Sequence, residues 1–151
     1  MLIEKRLEDL AERMGLTVFT VEHSLDLANV ESDFLQPAEL PIFMLATTTT
    51  CEIQVGQTFI TDVYSVRVRF LFHQFQLFDL LETSRNFARS YIWNWNVESA
   101  DSGIAIGTAN ETIILNFTDA NLSGIEISFQ IKQRSNFEKC PCKAPSKPCE
   151  G

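Results

Sequence analysis

The sequence predicts an α+β fold. It reads as a mainly antiparallel sheet with an N-terminal helix and one long central helix packed on it, followed by an extended C-terminal tail. Three stretches carry that reading. From Tyr64 to Phe72 the even positions are apolar while Ser65, Arg67 and Arg69 are polar, the two-residue period of a strand with one face buried. Leu77, Leu80, Leu81, Ser84, Phe87, Ala88, Tyr91 and Trp95 then recur at steps of three and four, the stripe of an amphipathic helix. Ile125, Ile127, Phe129 and Ile131 alternate with Glu126, Ser128, Gln130 and Lys132, a strand with one wet face.

Taken in order, Leu2 to Met14 reads as a first helix with Ile3, Leu7, Leu10, Ala11 and Met14 on one side. Gly15 sits where a helix end favours a positive φ. Leu16 to Val21 is rich in β-branched and aromatic residues and predicts a short strand. His23 to Pro37 is acidic and weakly patterned, a loop with or without a helical turn near Leu25 to Val30. Ile42 to Ala46 is continuously apolar, suiting a strand covered on both faces, and the Thr-rich run beyond it prolongs that strand. Val55, Gly56 and Gln57 form a plausible turn into the long strand, so the two should pair antiparallel as a projecting hairpin. After the helix, Val97 to Gly103 reads as a polar connection. Ile104 to Ile106 and Thr112 to Phe117 suggest two strands, and Asp119 to Gly124 is turn chemistry throughout.

At 151 residues, 45% of them hydrophobic, the chain has enough apolar material for a proper core. The boundaries are a domain over 1–133 and a tail over 134–151, which holds three prolines, three cysteines and four lysines or arginines. A neighbouring subunit or partner would be needed to hold such a tail in place. No run approaches the length of a membrane span, and the first residues lack the layout of a secretory signal, so a cytoplasmic origin is expected. The formal charge of −8 disfavours specific nucleic-acid binding, which draws its affinity from Lys and Arg. It does suit a surface that nucleic acid slides past.

Motifs for chemistry are sparse. Asp119 to Gly124 matches the first half of a calcium loop, but the twelfth position is Gln130 within a strand, so the site would lack its closing carboxylate. Cys140, Cys142 and Cys149 are weak metal candidates: a fourth ligand is missing and the Cys-x-Cys spacing is not that of the usual zinc pair. A disulfide within or between chains, and a tail without either, stay open. Asn110, Asn116 and Asn121 head formal glycosylation triplets without a signal peptide to expose them to that chemistry. His23 and His73 have no nucleophile or paired carboxylate nearby in sequence, and no phosphate-cradling glycine loop is present. The expectation is no enzyme and no cofactor. Arg67 and Arg69 read either as solvated residues paired with nearby acids or as partner contacts. Trp93 lies off the helix stripe, and an exposed tryptophan often marks an interface.

The order of elements is helix, strand, a long β-pair led by Leu40-Pro41-Ile42-Phe43-Met44-Leu45, the strand–helix unit Tyr64 to Trp95, and the final strand Ile125 to Lys132. It resembles that of the tail-terminator and head–tail connector proteins of tailed bacteriophages. Asn116 to Glu126 is also similar to stretches in structural proteins of phages of gut Bacteroides, the crAss-like group. The resemblance implies a structural virion protein, assembled in the host bacterial cytoplasm. Identical subunits would close a homo-oligomeric ring, bind other virion structural proteins, and let DNA pass through the lumen. Its implied subunit contacts are Arg67, Arg69, Trp93 and Phe137. The rival reading is a cytoplasmic binding or adaptor module whose tail is stabilised by metal or disulfide; a third is a small hydrolase with a scattered site.

Overall fold

Among the described residues the chain folds as two helices on one face of a five-stranded sheet, an α+β arrangement. The architecture comes from a computed structural model, which describes residues 2–20, 40–53, 56, 59–73, 77–117 and 122–135, without the side chains of 19, 20, 73, 77–79, 116 and 117. The elements are α1 (Ile3–Arg13), β1 (Thr17–Thr20), β2 (Ile42–Ile53), β3 (Ile60–His73), α2 (Leu77–Ser99), β4 (Ala109–Phe117) and β5 (Leu122–Arg134). The sheet order is β1-β2-β3-β5-β4, with β1 parallel to β2 and every other pair antiparallel. The loop expected over His23 to Pro37 lies outside the described residues, as do Phe137 and the tail cysteines.

Helix α1 ends as its glycine requires. Gly15 has φ +83°, its N–H bonds Glu12 O at 2.9 Å, and the Leu16 N–H bonds Ala11 O at 3.0 Å. Those two bonds satisfy carbonyls that the helix end would leave free, and they turn Leu16 into the core next to Ala11. Both faces of β2 are buried from Ile42 to Leu45, as its unbroken apolar run predicts, and exposure begins where the threonines do. Val66, Val68 and Phe70 of β3 and Ile125, Ile127, Phe129 and Ile131 of β5 share the face that meets the helices.

Helix α2 meets that face with Ser84, Ala88, Tyr91, Trp95 and Ser99, all essentially inaccessible. Phe43, Phe70 and Tyr91 pack as an aromatic trio with ring centroids 5.2–5.7 Å apart. Two polar groups on the apolar stripe anchor the helix. The Ser84 hydroxyl donates to Phe70 O at 2.5 Å and accepts from the Ile125 N–H at 3.1 Å, so it bridges β3 and β5. The Tyr91 hydroxyl donates to Leu7 O at 2.9 Å and ties α2 to α1. An exposed fork from Arg13 to Glu98 joins the same two helices at the surface and holds the Glu98 carboxyl below its usual range.

Three sequence expectations are corrected. Val97 to Ser99 form the last turn of α2 rather than a connection, because the bonds that Trp95 and Asn96 make to the segment beyond hold this end of the helix in place, with Ser99 buried. Ile104 to Ile106 is not a strand. Its backbone is taken up by helix side chains: Trp95 Nε1 donates to Ile104 O at 2.8 Å, Asn96 Nδ2 donates to Ile106 O at 3.0 Å, and Asn96 Oδ1 accepts from Ile106 N–H at 2.6 Å. A backbone segment bonded this way has no need of a neighbouring strand. Finally, Leu122 to Gly124 belong to β5, not to a turn. A Cβ on Gly124 would stand 1.9 Å from Phe70 O, so glycine is there to let two strands and a helix approach, not to bend the chain.

Candidate functional site

The described part of the molecule presents two surfaces that packing does not consume. One runs along the outer side of α2 and the neighbouring edge strand β4. Trp93 and Val97 are one helical turn apart on α2 and lie 66% and 58% exposed. They line a groove of about 790 Å³ with Ala88, Ile92 and Asn96 on the helix and Ala109, Glu111 and Ile127 on the sheet. The alternation of Tyr91, Trp93 and Trp95 explains why the two flanking rings are buried while the middle one is not. At the sheet side of the groove, Glu111 holds two arginines of α2: Arg89 Nε donates to it at 3.1 Å and Arg85 Nε lies 3.3 Å away. Beyond that cluster Ile113 and Leu115 are again more than half exposed on β4. Among the described residues no strand pairs with the outer side of β4, so this edge joins open backbone to large apolar side chains, the combination natural sheets usually guard against.

The second surface is the sheet face turned away from the helices. Register lines up Met44, Arg69, Glu126 and Thr112 in one row, Ala46, Arg67, Ser128 and Asn110 in the next, and Thr48, Ser65 and Gln130 in a third. In the first row Arg69 Nε donates to Glu126 Oε2 at 2.7 Å, and both side chains are mostly shielded from solvent. The same side of the sheet is apolar and buried toward Ile42, Leu71 and Leu122. The other two rows are open. With Lys132 and the loop residues Gly103, Ala105 and Thr108 they line a concavity of about 940 Å³. Arg67 stands near its middle, exposed and flanked by the short side chains of Ala46 and Ser128.

The structure thus separates residues that the sequence grouped. Arg67 and Arg69 share a face, but Arg69 is engaged by Glu126 and Arg67 is not. Trp93 is on the opposite side of the sheet, at the edge. Phe137, Cys140, Cys142 and Cys149 lie outside the described residues. Sequence reasoning missed Val97, Ile113 and Leu115, although apolar residues four apart beside Trp93 and two apart on a strand were a readable signal. It also missed the serine and threonine rows around Arg67, which only strand register assembles.

Among the described residues no group of three or more His, Cys, Asp or Glu side chains is placed to hold a metal ion, and no helix is long and apolar enough to cross a membrane. What the arrangement defines is an α+β fold with an exposed apolar edge and a polar, concave sheet face. No protein-family model and no curated protein sequence matches the chain.

Proposed function

We propose that the chain is a structural assembly subunit, and that its setting is the ring of a head–tail connector or tail terminator in a tailed bacteriophage. One observation carries the assembly part: the apolar edge formed by Trp93, Val97, Ile113 and Leu115, set around the edge strand of the described sheet. Burying the Trp93 ring alone would remove on the order of 150–250 Å² of surface from water, the scale of a single interface anchor. The phage setting draws support from the resemblance in element order and from the net charge of −8, which would keep a DNA-lining surface from binding phosphate. In a ring the contact is heterologous, so the α2/β4 edge of one subunit meets a different patch of the next. DNA would pass through the lumen without sequence recognition, and other virion proteins would contact the ring's two ends.

Light scattering on the purified chain, combined with negative-stain imaging, tests this reading. The expected result is a closed oligomer of defined mass that Trp93→Ser or Val97→Asp dissociates into folded monomers. A chain that stays monomeric at high micromolar concentration would overturn it. An oligomer that dissociates only when reductant or chelator is added would move the assignment to the adaptor with a stabilised tail.

A further inference from the structure

The concave sheet face around Arg67 has a charge pattern at odds with the rest of the molecule. Acidic residues outnumber basic ones 20 to 12 along the chain. Yet among the described residues the concavity is lined by two cations, Arg67 and Lys132, and by no carboxylate. Every other described lysine or arginine has a partner. Lys5, Arg13, Arg69, Arg85, Arg89 and Lys132 each meet a carboxylate, while Arg6 and Arg134 lie over the rings of Trp95 and Phe59. Among the described residues Arg67 alone has neither.

A guanidinium left unpaired in so acidic a chain is an available binding group rather than a spent one. Its flat fork, with five donors, matches a planar or tetrahedral oxyanion better than any other group. The surroundings are suited to the same task. Ser65 and Ser128 sit beside Arg67 in the strand rows, and neither hydroxyl bonds a described residue. Ala46 across the register leaves room above the guanidinium. The nearest acid on that face, Glu126, is neutralised by Arg69 at 2.7 Å and so does not compete. The concavity, about 940 Å³ and walled on one side by the loop from Gly103 to Thr108, is in the size range of small-molecule sites. A nucleic acid would need many cations, and the described part of the face supplies Arg67 and a Lys132 that already meets Glu52 at 3.6 Å.

We infer that this face binds a small molecule through one oxyanion group, a carboxylate or a phosphate, held by Arg67 with Ser65 and Ser128 as auxiliary donors and Lys132 at the rim. The site is independent of the assembly reading, since it lies on the sheet face opposite the helices and needs no second subunit.

The test is a titration of the full-length, isotope-labelled chain, followed by backbone amide NMR at constant ionic strength. Inorganic phosphate and glutarate are the two probes, with chloride as the reference. The expected result is saturable shifts at Ser65, Arg67, Ser128 and Gln130 with at least one probe, and none of comparable size in α1. The probe that saturates at lower concentration identifies the oxyanion. Arg67→Gln should weaken that binding by more than about tenfold, the loss expected for hydrogen bonds to a charged group, while leaving the melting temperature unchanged. Lys132→Gln should weaken it less. Shifts that match chloride, that do not saturate, or that persist in Arg67→Gln would overturn the inference.

Discussion

Gly124→Ala should be among the most damaging single-methyl changes available in this chain. The added Cβ would sit 1.9 Å from Phe70 O and 2.9 Å from Phe70 C, both backbone atoms of the neighbouring strand, and 3.0 Å from Ser84 Oγ. An ordinary carbon–oxygen contact is more than a full ångström longer than the first of these, so β3 and β5 must part locally. Strain of that kind costs about 1–3 kcal/mol. The same movement strains the Ser84 bridge, whose hydroxyl serves both Phe70 O and the Ile125 N–H, and leaving buried groups of this type unsatisfied costs about 1–3 kcal/mol more. The sum is roughly 2–6 kcal/mol, a large part of the total stability of a domain this size. Urea unfolding of wild type, Gly124→Ala, Ser84→Ala and the double variant would measure it. Ser84→Ala alone should cost about 1–3 kcal/mol, and clearly less in the alanine-124 background, because the bridge is already disturbed there. A loss below about 1 kcal/mol for Gly124→Ala, or strict additivity of the pair, would refute the close-approach account.

Other outcomes follow from the same geometry. Arg69→Met strands the Glu126 carboxylate in a mostly shielded site and should cost roughly 2–4 kcal/mol, whereas Arg69→Met with Glu126→Leu should recover most of that loss; both are read by denaturant melts. Burial raises the Tyr91 hydroxyl well above its ordinary value of 10, so its contribution to stability is complete below pH 10 and is lost as pH rises toward the folded value. Tyr91→Phe should therefore lose about 1 kcal/mol at neutral pH through the missing bond to Leu7 O, and its stability should fall less steeply in alkaline melts. Asn96→Ala frees the backbone of Ile106 on both its N–H and C=O, and faster hydrogen exchange of the Ile106 amide would report it. Trp93→Ser should change monomer stability by no more than about 0.5 kcal/mol, since the ring is exposed, and a larger loss in a dilute, monomeric sample would mean that the ring packs within its own chain.

Much of the fold was legible in the residues because periodicity is a local property. The stripe through Ser84, Ala88, Tyr91 and Trp95 and the alternation through Ile125 to Ile131 each needed only their own segment to be read, and both are buried as they imply. The same local logic put Trp93 outside. It failed at Ile104 to Ile106, because a short apolar run looks alike whether its backbone is bonded by a strand or by Trp95 and Asn96 side chains. It failed at Gly124 for a related reason: a glycine among turn-forming residues reads as a bend, while its actual role is set by the Phe70 carbonyl of a strand distant in sequence.

The two candidate surfaces divide along the same line. Repeat geometry within one strand and one helix was enough to place Arg67 and Arg69 on a shared polar face and Trp93 off its helix stripe. Which arginine is engaged depends on contacts between distant segments. Glu126, fifty-seven residues further on, comes beside Arg69 through the register of β5 against β3. One row away that register places Ser128 beside Arg67, and a hydroxyl does not neutralise a guanidinium. Strand order likewise left β4 at the edge, with Ile113 and Leu115 exposed beyond the helix that covers the centre. Pairing partners depend on how distant segments align, and a pattern within one segment carries no information about that alignment.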